Sequence, residues 1–131
     1  MNHGFTARKN TVAQVYAQAC SGGKVLVVGR GYAFDLLEEH CMRAWKHHGA
    51  ASITKMTVEP LQRLDFDSGG SIFVVNLGAG KGVSELGRIP ALDYVVTAAD
   101  SKEMLLQVLK TVVHPLMDRS GAHCQLVVAG E

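Results

Sequence analysis

The stretch S-I-F-V-V-N-L-G-A-G-K-G-V-S-E-L-G-R-I-P-A-L-D-Y-V-V-T-A-A-D, Ser71 to Asp100, decides how this chain folds. An apolar run from Ile72 to Val75 feeds a loop with glycines at 78, 80 and 82, and a second strand-like run, Leu92 to Ala98, ends just before Asp100. Short apolar runs of this kind, bounded by glycine and separated by helical spacing, predict strands buried in an α/β sheet. A short helix is expected between them, ending near Gly87 to Pro90.

Working outward, the same alternation continues on both sides. Upstream, Lys24 to Val28 reads as a buried strand followed by the turn Gly29-Arg30-Gly31. A helix from Ala33 to His48 follows, with Phe34, Leu37, Cys41, Ala44, Trp45 and His48 on one apolar stripe. Asp35, Glu38 and Glu39 sit near its start and Arg43, Lys46 and His47 near its end, matching the helix dipole. Gly49 should stop it. Before that unit, Asn10 or Thr11 is placed to cap a helix carrying Val12, Val15, Tyr16 and Ala19, which Gly22 and Gly23 end. Ser52 to Val58 reads as a strand near the sheet edge, because it carries Lys55. Pro60 is expected to open a short helix through Leu64, and Asp67-Ser68-Gly69-Gly70 a loop. Downstream, Asp100 and Glu103 have capping-box spacing for a helix containing Leu105, Val108, Leu109, Val112 and Leu116. Pro115 should end or kink that helix, and Gln125 to Val128 is a last strand.

The expected architecture is therefore a single-domain, three-layer Rossmann-like α/β fold with a mostly parallel five-stranded sheet. Residues 1–9 are read as a flexible N-terminal arm and 10–131 as one domain. A chain of 131 residues is within the size of one domain, and an apolar content of 47% suits a packed core. The formal net charge of +1 disfavours a strong nucleic-acid or membrane field. No apolar run approaches the roughly 20 residues that span a bilayer, and the N-terminus lacks the core of a secretory signal. Three cysteines, an odd number, suggest free thiols and a cytoplasmic setting.

In open α/β sheets, ligands sit beyond the carboxyl ends of the strands, where glycine lets the backbone approach closely. Asn76, Gly78, Gly80 and Gly82 are thus candidate ligand-binding positions. Asp100, eighteen residues past Gly82, is placed to accept ribose hydroxyls or, alternatively, to cap the next helix. Gly29, Arg30 and Gly31 form a candidate anion-binding turn. A phosphate loop of the ATPase kind is excluded, since Val75 and Gly82 stand where it needs glycine and Ser or Thr. His40-Cys41 and His123-Cys124 do not make a zinc site, because adjacent side chains diverge and no C-x-x-C occurs. No metal is expected, and no catalytic residue can be named. Arg8, Lys9 and Arg30 are the cations through which RNA could be held, weakly at this net charge. Trp45 is read as core or as an anchor at a dimer contact.

N-L-G-A-G-K-G (Asn76 to Gly82) resembles the first motif of Rossmann-type S-adenosylmethionine-dependent methyltransferases, A-A-D-S-K-E-M-L (Ala98 to Leu105) resembles their second, and Q-L-V-V-A-G-E (Gln125 to Glu131) is similar to their third strand. The resemblance covers residues 71–131 and implies S-adenosylmethionine as cofactor, with Asp100 on the ribose and the glycine turn under the methionine end. The chain departs from that pattern in two places: Asn76 replaces the first acid, and no Asp/Asn-Pro-Pro-aromatic motif occurs. Two strands also precede the motif, as in a circularly permuted version. A second resemblance, over Gly22 to about Leu86, is to phosphosugar-binding sugar-isomerase (SIS) domains, although Ala33 and Ala79 stand where their phosphate-holding hydroxyls would be. The expectation is a non-catalytic, methyltransferase-like binding and assembly module. It would be homodimeric and an accessory part of a larger complex, viral or nucleoprotein complexes included. An active methyltransferase and a phosphosugar-binding domain are the alternatives.

Overall fold

A computed structural model describes residues 3–48 and 53–129. The expected stop at Gly49 lies outside these residues, as do the side chains of Arg8, Lys9, His47 and His48. The order of elements is α1 (His3–Cys20), β1 (Lys24–Gly29), α2 (Tyr32–His48), β2 (Ile53–Thr57), β3 (Gln62–Phe66), β4 (Ser71–Asn76), a 3-10 turn (Val83–Arg88), β5 (Tyr94–Ala98), α3 (Lys102–Val108), a π turn (Leu109–Val113), α4 (His114–Ser120) and β6 (Gln125–Val128).

The strands form one six-stranded mixed sheet in the order β2-β3-β4-β1-β5-β6. β4, β1, β5 and β6 run parallel, and β3 and β2 extend the sheet antiparallel. The α/β class stands, whereas the expected mostly parallel five-stranded sheet does not. The missed strand is β3, in the segment read as a helix opened by Pro60. Its inward residues, Leu64 and Phe66, alternate with Arg63 and Asp65, the period of two that a strand needs and a helix cannot use. The Glu59-Pro60 peptide bond is cis.

Two cores lie on opposite faces of the sheet. On one, α1 and α2 pack Val12, Val15, Phe34, Leu37 and Trp45 onto Val25, Val27, Leu64, Ile72, Val74 and Val96. On the other, Val108, Val113 and Leu116 of the last helical run cover Leu26, Val28, Phe73, Val75 and Val95. Val25 to Val28 are fully buried, so the apolar run of β1 is explained by helices above and below it. Trp45 is core: it is 2% exposed, and its indole N–H has no acceptor among the described residues.

The helix ends follow local chemistry. α1 starts at His3, within the stretch expected to be an arm, and passes through Asn10 and Thr11, so neither stands at its start. It closes as expected at Gly22, whose φ of 92° allows Gly22 N–H to donate to Ala19 and Gly23 N–H to Gln18. Pro115 neither breaks nor sharply ends the last helical run. The turn before it widens to π geometry, with His114 N–H donating five residues back to Leu109, and Pro115 lies in the first turn of α4. Among the described residues, no helix is long and apolar enough to cross a membrane.

Candidate functional site

The chain leaves β1 toward β4 on one side and returns across β1 to β5 on the other, so the switch point of the winding lies between β1 and β5. Their carboxyl ends are Gly29-Arg30-Gly31 and Ala98-Ala99-Asp100. Arg30 N–H donates to the Ala98 carbonyl at 3.2 Å and ties the two turns together.

Asp100 fills the crevice at this point. One carboxylate oxygen accepts from Tyr32 N–H at 2.9 Å and the other from Ala33 N–H at 2.7 Å. These bonds, that from Ala33 first, hold its carboxyl below the usual carboxylate range, although the side chain is exposed. Asp100 therefore caps α2, sixty-seven and sixty-eight residues back in the chain, instead of the helix that follows it. The cap of α3 is Ser101, whose hydroxyl accepts from Met104 N–H at 3.1 Å. The D-x-x-E spacing pointed to the wrong helix because capping is a local signal and this contact is not local. Gly31 is required here: its φ is 89°, and a Cβ would collide with the Asp100 carboxylate.

The second candidate turn stands on the other side of β1. Leu77 N–H donates to the Gly29 carbonyl at 2.9 Å, and a Cβ at Gly78 would come within 3.7 Å of Arg30 Cγ. Gly80 and Gly82 take φ values of 73° and 78°, which the turn needs. The glycine turn and Asp100 are thus separated by β1, and each adjoins Gly29-Arg30-Gly31 instead of the other. Asn76, buried at the end of β4, is fully engaged. Its amide nitrogen donates to Asp35 at 3.2 Å and Glu38 at 3.1 Å, and its oxygen accepts from Ala79 N–H at 3.1 Å. An acid at position 76 would face two carboxylates with no proton to offer, so an amide suits this position. Sequence reasoning assigned Asp35 and Glu38 to the helix dipole alone. Their spacing of three residues, on the face of α2 toward β4, was the available signal.

Arg30 and Lys81 are exposed, and their side chains form no ion pair among the described residues. The three cysteines are free. Cys41 is buried, which pushes its thiol up to about 12, and the nearby Glu38 adds to this, so it is no nucleophile. Among the described residues no three His, Cys, Asp or Glu side chains gather as metal ligands would.

This arrangement defines the protein as a doubly wound α/β domain whose switch-point groups bond to one another. No family model, no curated protein and no solved structure matches the chain.

Proposed function

We propose that the protein is a non-catalytic binding and assembly module on a methyltransferase-like fold. It acts as a homodimer through protein contacts, as an accessory part of a larger cytoplasmic complex, viral and nucleoprotein particles included. The observation that carries this reading is the internal use of the groups a cofactor would need. Asp100 has both oxygens on the α2 N–H groups, and Asn76 has its amide on Asp35, Glu38 and Ala79. A cofactor ribose must compete with two hydrogen bonds that this carboxylate already accepts from the backbone of α2.

Calorimetry with S-adenosylmethionine and S-adenosylhomocysteine tests the reading. Binding weaker than millimolar to both agrees with it. Micromolar binding that Asp100→Ala abolishes would replace it with the methyltransferase reading. Light scattering during size-exclusion chromatography should give the mass of two chains, and a monomer at high concentration removes the homodimer.

Phosphosugar binding has one observation in its favour. β1 and β4 are parallel neighbours, so their two glycine turns adjoin, with Arg30, which forms no ion pair among the described residues, between them. Titration with glucosamine 6-phosphate, followed by NMR at Arg30, Gly31 and Gly78, decides this alternative.

A further inference from the structure

We propose that the two chains of the homodimer meet through β2, whose free edge pairs antiparallel with β2 of a second copy about a two-fold axis at Thr57. This rests on the homodimer reading above and names the surface that makes it. β2 is the outermost strand of the sheet, with β3 as its one neighbour. The outer edge of such a strand offers backbone N–H and C=O groups to a further strand.

The side chains select this same chain as the occupant. Lys55-Met56-Thr57-Val58-Glu59 reads cation, apolar, Thr, apolar, anion. A two-fold axis at Thr57 sets each Lys55 against the partner's Glu59, each Met56 against the partner's Val58, and Thr57 against its own copy. Opposite charges, apolar pairs and threonine pairs are the combinations that stabilise facing antiparallel strands. The faces agree as well. Met56 is in register with Leu64, on the face covered by α1 and α2, while Lys55 and Thr57 are in register with Asp65 and Arg63 on the other. Continued alternation puts Val58 with Met56 and Glu59 with Lys55. β2 ends at Thr57, so the pairing carries the strand two residues on, into the connection to β3.

Within one chain these groups stay open to solvent. Met56 is 54% and Val58 64% exposed. Lys55 and Glu59 are exposed and form no ion pair among the described residues. Asp65, across the strand from Lys55, is already bonded to Arg63 and Ser71. The charges also fix the register. An axis at Lys55 would set two lysines against each other, and one at Met56 would leave both charges facing uncharged residues. At the opposite edge of the sheet, β6 (Q-L-V-V) carries no charge to set a register, and Leu126, Val127 and Val128 are half-buried.

The test is sedimentation equilibrium of the full chain at low ionic strength, where exposed charges are least screened. Lys55→Glu and Glu59→Lys each turn two attractive pairs per dimer into two repulsive ones, and each alone should raise the dimer Kd about tenfold or more. Mixed in equal amounts, the two variants face each other with opposite charges and should associate as tightly as the parent, which also shows that both are folded. Met56→Lys should weaken association by a similar factor while leaving the fold of one chain nearly unchanged. A parent dimer whose Kd none of these substitutions moves, or a loss that the mixture fails to restore, overturns this interface and leaves the homodimer standing. A parent that stays monomeric at high concentration removes both.

Discussion

Along β1, β4 and β5 nearly every residue is buried, whereas along β2 the three central residues, Thr54, Lys55 and Met56, are exposed. Both regions belong to one sheet, and the difference lies in what covers them. The parallel strands have helices on both faces, so both sets of alternating side chains are apolar. The β2–β3 hairpin has α1 and α2 on one face only. There Leu64 and Phe66 join the core, and Phe66 meets the ring of Tyr16 edge-on at 5.6 Å. On its other face Arg63 lies over the Phe73 ring at 5.1 Å and pairs with Asp65 at 2.8 Å. Burial raises the Asp65 pKa, yet hydrogen bonds from Arg63 and Ser71 and the charges of Arg63 and Lys24 bring it below the usual value of 3.8. A guanidinium thus serves where a helix would otherwise shield Phe73, which is 1% exposed.

The contrast is open to attack by substitution, and the largest effect belongs to the parallel half. Gly29→Ala would drive a Cβ into the Ala98 carbonyl and the Phe34 ring, where helix and strand pack with no space between them. Its cost should be about 3 kcal/mol or more by urea unfolding. Leu64→Ala, on the covered face of the hairpin, should cost about 3 kcal/mol by the same measurement. A loss below 1 kcal/mol would mean the hairpin is an appendage to the core and no part of it.

Asn76→Asp should cost about 2 kcal/mol at neutral pH, since it places a third carboxylate beside Asp35 and Glu38. Acidification restores a proton to share, so unfolding curves of variant and parent should converge as pH falls. Asp100→Ala should also destabilise, in a pH-dependent way with a definite sign. Its folded pKa lies below 3.8, so its contribution is present above that value and is lost as pH falls through the folded one. The deficit in Tm should stay constant from neutral pH to about 5 and vanish in strong acid. A deficit that persists in acid would assign it to something other than the cap. Met56→Lys, on the exposed edge strand, should change stability by less than about 0.5 kcal/mol.

The buried strands, the stripe on α2 and the glycine stop of α1 were all legible in the sequence, because each is written in neighbouring residues. Lys24 to Val28, Ile72 to Val75 and Leu92 to Ala98 are short, mainly apolar runs that read as buried strands, the last of them two residues longer at its start than β5. Phe34, Leu37, Cys41 and Trp45 recur at helical spacing and are buried as that spacing requires. β3 was not legible: Q-R-L-D-F carries two inward apolar residues, and Pro60 beside it read as a helix start. Its identity depends on β4, which supplies the hydrogen bonds, and on α1, which supplies the apolar cover.

The candidate site divides along the same line. Composition and spacing determined that Gly29, Gly31, Gly78, Gly80 and Gly82 form turns and that Asn76 and Asp100 end strands. Strand order alone decided which of them meet. β1 inserts between β4 and β5, so Asp100 reaches the N–H groups of α2 and not the glycine turn of β4, and Asn76 reaches Asp35 and Glu38. Turn conformation is a property of a few adjacent residues, while the partner of a carboxylate is whatever the packed sheet brings within hydrogen-bond distance.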